Sequence, residues 1–238
     1  MFHSIRTIIP GPPGTGKTFT LTKYLEKELK EYKTDPKKIA YISFSNAAAN
    51  EAQRRITDNL FHIGTMHSLG SNALGINTQT QLLKGSKWNN FKNYSQVCKD
   101  LSFESTTNEF GYVVYTNPHM KIIEYARSRQ IDIEEAAIQL DLHQTVEISL
   151  TELIASHLQT YKEHTGMVEY YDMIAQFIEK KVCPELDVVF LDEAQDLSPL
   201  QWKMFFYIES KCKRYTLQVM TIKPFIHFKE QILVSLLI

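Results

Sequence analysis

Apolar and polar positions change rhythm several times along the chain, and each rhythm predicts a kind of element. Ser4–Ile9 is a short β-prone run, and Thr18–Lys30 has helical spacing until Asp35-Pro36 ends it. Lys38–Ser45 alternates β-branched and aromatic residues with polar ones, which predicts a second strand. The Ala-rich stretch Asn46–Leu60 predicts a helix, and Phe61–Thr65 a third short strand. The texture then changes from about Ser71 to Tyr161. Asn, Gln, Ser and Thr dominate Asn72–Asn108, and a strand-like run follows at Gly111–Tyr115. Helical patterns occupy His119–Gln130, Asp132–Leu142 and Ser149–Glu163; in the second, Ile133, Ala136, Ala137 and Leu140 form a core-facing stripe. Alternation of strand and helix returns at Glu169. Tyr171–Lys181 predicts a helix, Leu186–Leu191 is a continuous apolar run suited to a central parallel strand, and Ser198–Glu209 is again helical. The order predicts an α/β fold, a parallel sheet interrupted by a mainly helical insertion. The expected divisions are residues 1–71 and 169–217 for the sheet domain, with 72–168 as the insertion.

Composition narrows the class only a little. With 43% hydrophobic and 22% charged residues in 238, the chain has ample material for a core and no disordered or fibrous bias. Its net charge of −1 confines any nucleic-acid surface to a local patch. Cys98, Cys183 and Cys212 are widely spaced with no C-x-x-C, which argues for reduced thiols and against a zinc site. No signal-peptide pattern opens the chain, and the longest apolar run, Ile232–Ile238, is too short to span a bilayer, so a cytoplasmic setting without membrane contact is expected. Lys23, Lys27 and Lys30 read as a solvated helix face rather than a DNA contact, and Trp88, Phe91 and Tyr94 as packing of the insertion rather than base-stacking rings.

Candidate chemistry begins at Ile8–Thr18, I-I-P-G-P-P-G-T-G-K-T. Gly11, Gly16, Lys17 and Thr18 satisfy G-x-x-x-x-G-K-[ST], with strand before and helix after. Glycines allow successive backbone N–H groups to turn inward on a phosphate, and the following helix aims its positive end at the same anion. Gly11, Pro12, Pro13, Gly14, Thr15, Gly16, Lys17 and Thr18 are therefore the candidate triphosphate loop, with Lys17 for the β- and γ-phosphates and the Thr18 hydroxyl for Mg²⁺. The complementary feature is Asp192-Glu193 at the end of the apolar run. Asp192 is suited to hold Mg²⁺ opposite Thr18, and Glu193 to act as the general base on the attacking water.

These motifs, followed by A-Q-D-L-S-P-L-Q, resemble the superfamily 1 DNA helicases of the UvrD/Rep type, over nearly the whole chain as far as Leu217. Ser43–Glu51 (S-F-S-N-A-A-A-N-E) is similar to motif Ia, Thr65–Ser68 (T-M-H-S) to motif Ib, and Glu169–Met173 (E-Y-Y-D-M) to the family's D-F-x-D-M. The resemblance implies an ATP- and Mg²⁺-dependent helicase that translocates on single-stranded DNA and opens duplex junctions, with 3′→5′ polarity. It implies that Gln195 couples the γ-phosphate to movement and that Phe44, Ser45, Asn46, Thr65 and His67 line the strand track. Ala47 departs from the usual Lys or Arg, and the glutamine motif that reads adenine is missing upstream of the loop. A kinase or GTPase is disfavoured, since no guanine-reading N-K-x-D is present.

After K-R-Y-T-L the family continues into G-D-D-D-Q-[AS]-I-Y, whereas this chain reads Q-V-M-T-I-K-P-F. Back-translation from the third base of the Gln218 codon permits Gly-Asp-Asp and then Asp, Gln, Ala, Ile and Tyr in order. Residues 218–238 are accordingly expected to be an out-of-frame tail. The alternative to a helicase is then a truncated ATP- and DNA-binding fragment that does not unwind.

Overall fold

The computed structural model describes residues 5–11, 17–107 and 113–219. Pro12–Gly16 of the phosphate loop and the tail beyond Val219 lie outside the described residues. The chain divides into two compact units, one formed by Met1–Leu74 with Gln176–Ile238 and the other by Gly75–Ala175.

The first unit is built on a five-stranded parallel sheet. Its strands are β1 (Ile5–Pro10), β2 (Ile39–Ser43), β3 (His62–Thr65), β6 (Val188–Asp192) and β7 (Arg214–Val219). The spatial order is β1-β7-β6-β2-β3. Every residue of β2 and β6 is buried, as expected of central parallel strands covered on both faces. Register sets the functional edge. Ser43 lies beside both Thr65 and Asp192, and Ile9 beside Gln218, so the C-terminal ends of all five strands meet on one side. The strand β7 carries Thr216 and Gln218 among its apolar residues, a mixed pattern that only its slot between β1 and β6 turns into a central strand.

Helices join the strands. α1 (Lys17–Lys30) follows β1, α2 (Asn46–Arg55) follows β2, α3 (Met66–Ala73) follows β3, and α9 (Pro199–Glu209) precedes β7. Each start is specified locally. Ser45 accepts from Ala48 N at 3.1 Å, Thr65 accepts from Ser68 N at 3.3 Å, and Ser198 with Gln201 forms a reciprocal capping box. Ser45 therefore belongs to a cap rather than to the preceding strand. α2 stops at Arg55, short of the expected Leu60, because Ile56 and Leu60 turn into the core between α2 and β3. That core joins Leu21 and Leu25 of α1 and Ala52 of α2 to Ile39, Tyr41, Val188 and Phe190 of the sheet. Each fully buried large side chain there contributes about 1.5–3 kcal/mol. On α9, Trp202 stacks on Phe206 and Phe205 meets Tyr215 of β7 edge-on. At the opposite end of the sheet the Arg214 guanidinium forks onto Glu28 of α1, donating at 2.9 and 2.8 Å, and fixes helix to strand. Lys23, Lys27 and Lys30 of α1 are exposed, with Lys27 and Lys30 paired to Glu31 and Glu26, as a solvated face should be.

The second unit comprises α4 (Lys87–Tyr94), the antiparallel pair β4 (Ser105–Thr107) and β5 (Val113–Tyr115), and the helices α5 (Pro118–Arg129), α6 (Ile133–Gln139) and α7 (Ile148–Thr165). The helix α8 (Tyr170–Glu179) begins here and runs into the first unit. Trp88 and Phe91 pack with Phe103, Tyr115 and Tyr161 in one aromatic core, so the first two rings serve packing as the sequence suggested. Ala136 and Ala137 are buried in a second cluster with Ile133 and Leu140 against it. A group of buried charges ties α7 to the start of α8. The Lys162 ammonium donates to Glu169 Oε2 and to both Asp172 oxygens at 2.9 Å, and Arg127 donates to Glu169 Oε2 at 2.8 Å.

Candidate functional site

The C-terminal edge of the parallel sheet gathers the segments singled out by their chemistry. β1 delivers Gly11, whose N–H donates to Val219 O at 3.2 Å, and α1 opens at Lys17 and Thr18. β6 delivers Asp192, two strands from β1. At about 4.8 Å per strand step, that is a span of about 10 Å, within reach of a triphosphate running from the loop to the carboxylate. Parallel sheets of this kind bind ligands outside their strand C-termini, where the order of connections reverses.

Asp192 is 2% exposed, and its Oδ2 accepts a hydrogen bond of 2.9 Å from the Tyr41 hydroxyl. Tyr41 is fully buried and lies over Phe190, ring centroids 6.5 Å apart. Burial, then the charge of Asp192, push its phenol well above the ordinary tyrosine range, so the phenol stays a donor. Glu193 follows in the left-handed region at φ 55°, ψ 40°, a conformation that strains a side chain bearing a Cβ. The bend turns the chain out of the strand and leaves Glu193 half-buried beside the edge. Gln195 lies in the short helical turn Ala194–Asp196, and its amide donates to Asp196 Oδ2 at 2.6 Å. The carboxylate oxygens fit a hard, oxygen-seeking divalent cation such as Mg²⁺, which takes one or two carboxylates plus phosphates. Among the described residues no group of three or more His, Cys, Asp or Glu could form a larger metal cage.

The expected strand-track residues fall at the same edge but differ in what their side chains do. Asn46 opens α2 and is exposed. Phe44, Ser45 and Thr65 are each under 10% exposed, and the two hydroxyls cap α2 and α3. His67 is half-buried on α3, and burial lowers its imidazole to about 4, so it is neutral at pH 7.

Sequence reasoning missed three residues here. Tyr41 carries no motif, and its partner lies far along the chain. His62 is buried, its ring facing Thr65 O at 3.2 Å. Gly64 sits between that ring and Ser68, where a Cβ would come within 2.8 Å of His62 Nε2 and 2.5 Å of Ser68 Oγ. The H-x-G-T spacing is the one signal that could have exposed this packing.

A parallel sheet with a G-K-T loop after its first strand and D-E after an inner one defines a nucleotide-binding α/β domain. The family model of the UvrD/REP helicase N-terminal domain matches residues 3–220, and the chain belongs to that family. Its members are ATP-dependent DNA helicases, so binding of nucleotide and DNA comes with membership. A search of curated proteins gave no match. No helix among the described residues is long and apolar enough to cross a membrane.

Proposed function

We propose that this chain is the first motor domain of a helicase that hydrolyses ATP to move 3′→5′ along single-stranded DNA and to open duplex junctions. The observation that carries the reading is the Asp192-Glu193 pair at the end of β6, on the edge where β1 and α1 bracket the phosphate loop. In this reading the non-proline residues of the loop, Gly14, Thr15 and Gly16, cradle the phosphates through backbone N–H groups, and Lys17 neutralises the β- and γ-phosphate charge. Thr18 and Asp192 would hold Mg²⁺, which would supply charge neutralisation for the phosphates. Glu193 orients the attacking water and takes its proton, and Gln195 links the γ-phosphate to movement. Phe44, Ser45, Asn46, Thr65 and His67 line the track. Because Ser45 and Thr65 are engaged as caps, contact there would come chiefly from backbone N–H groups at the starts of α2 and α3, together with Asn46. The test is DNA-stimulated ATPase of this polypeptide and of Lys17→Ala. Turnover that DNA raises and the variant abolishes is expected, whereas unchanged turnover in Lys17→Ala removes the site assignment.

A second reading, nucleotide and DNA binding without unwinding, is favoured by Gln218. Its side-chain Oε1 is buried in the central strand β7 and has no hydrogen-bond partner among the described residues, a penalty of about 1–3 kcal/mol. That is a poor residue for the position and agrees with a reading frame that changes at its codon. Resequencing from the Arg214 codon decides: an open shifted frame encoding G-D-D-D-Q-A-I-Y supports a complete helicase parent, whose second motor domain would bring the arginine fingers. The given frame, if confirmed together with a true stop codon and no motif III beside it, restricts the function to binding.

A further inference from the structure

We propose that Tyr41 is a positioning residue for the cation site, holding the Asp192 carboxylate in the rotation that a magnesium–triphosphate complex requires. The proposal rests on the site reading above and names a part of it that no motif contains.

Strand register makes the contact. Ser43 pairs with Asp192 and Tyr41 with Phe190, so Tyr41 stands two residues behind the Asp192 level on the neighbouring strand. Residues two apart share a face of the sheet, and paired residues of parallel neighbours do too. The Tyr41 ring therefore runs forward across Phe190 and its hydroxyl arrives at Asp192 Oδ2, 2.9 Å away. Both groups are buried within the sheet, which leaves the phenol little freedom to aim elsewhere.

The kind of donor matters. A phenol restrains a carboxylate without cancelling its charge, whereas an ammonium or guanidinium would compete with an incoming cation. Second-sphere donors of this sort orient ligands, and their loss typically weakens metal affinity about 10- to 100-fold. Tyr41 also belongs to the strand that runs directly into Phe44, Ser45 and Asn46, so the same β2 backbone carries the carboxylate's restraint and the start of the proposed DNA track.

The experiment measures Mn²⁺ binding by electron paramagnetic resonance, with a non-hydrolysable ATP analogue present, in the full chain and three variants. Tyr41→Phe, which keeps the ring and removes the hydroxyl, is expected to weaken Mn²⁺ affinity about 10-fold while metal-free nucleotide affinity stays the same. Phe190→Leu loosens the same packing but keeps the hydroxyl, so Mn²⁺ affinity within about twofold of the parent is expected. Equal losses in these two variants mean that packing alone is responsible and overturn the proposal. Asp192→Asn separates the two levels of the argument. If it weakens Mn²⁺ binding and Tyr41→Phe does not, the site reading stands and the Tyr41 proposal falls. If Asp192→Asn changes nothing, the cation assignment itself is overturned, and the proposal with it.

Discussion

Asp192 in the first unit, and Glu169 with Asp172 in the second, are buried carboxylates held by different chemistry. Glu169 and Asp172 meet an ammonium and a guanidinium at 2.8–2.9 Å, and those cations hold the Glu169 carboxyl below the usual range even though burial pushes it up. Their charge is spent inside the fold, fastening α7 to α8. Asp192 is held by a phenol, which fixes its direction and adds no positive charge. Burial is common to both sites, so it does not mark a functional carboxylate. The described donors differ, cations at one site and a phenol at the other.

Single substitutions can break this contrast. In the first unit, Glu193→Gln should reduce ATP turnover about a hundred- to ten-thousand-fold, with the melting temperature nearly unchanged. Steady-state ATPase and thermal denaturation check it, and a large loss of stability would mean that Glu193 serves the fold instead. In the second unit, Lys162→Met should have the opposite signature. It leaves Asp172 and half of the Glu169 pairing uncompensated, and should destabilise by about 3–5 kcal/mol by denaturant titration. Smaller still is Gly64→Ala, which forces a Cβ against the His62 ring and Ser68 and should cost about 1–3 kcal/mol in chemical denaturation.

The smallest expected effect sharpens the comparison through pH. Burial, then the neighbouring Glu169 charge, push the Glu124 carboxyl of the second unit up to about 7. A carboxyl raised above its unfolded value stabilises while protonated, so the second unit should lose stability as pH rises through about 7. His62 and His67 of the first unit have lowered values because burial disfavours their charged forms. That unit should be insensitive near pH 7 and weaken as pH falls below about 6.5. Hydrogen exchange resolved by unit, at pH 8, 7 and 6, reads both trends. Glu124→Gln should flatten the first without touching the second.

Much of the fold was legible because local rules and tertiary structure agree. The run at β6 has the continuous apolar character that two-sided burial demands, β2 shows itself by its β-branched and aromatic residues, and the caps at Ser198 and Asp132 announce α9 and α6. The elements that escaped depend on distant partners. Thr216 and Gln218 interrupt the apolar pattern of β7, which becomes a strand by filling the gap between β1 and β6. α3 and α4 are short and carry little periodicity, and their cores are supplied by other segments. Of the candidate site, the phosphate loop and Asp192-Glu193 were visible as motifs. The burial of Phe44, Ser45 and Thr65 was not, because a cap and a track contact draw on the same residue types.

The sequence alone determined the class of chemistry, since G-x-x-x-x-G-K-T and D-E are short-range patterns whose spacing is set by backbone geometry. It also determined the parallel α/β architecture, through the alternation of strand and helix. Only the tertiary structure decided which donors meet which buried carboxylates. Tyr41 and Asp192 are 151 positions apart and meet through strand register, while Lys162 reaches Asp172 across a helix turn and a loop. Hydrogen bonds act over about 3 Å, and no local pattern specifies which residues the fold will bring that close.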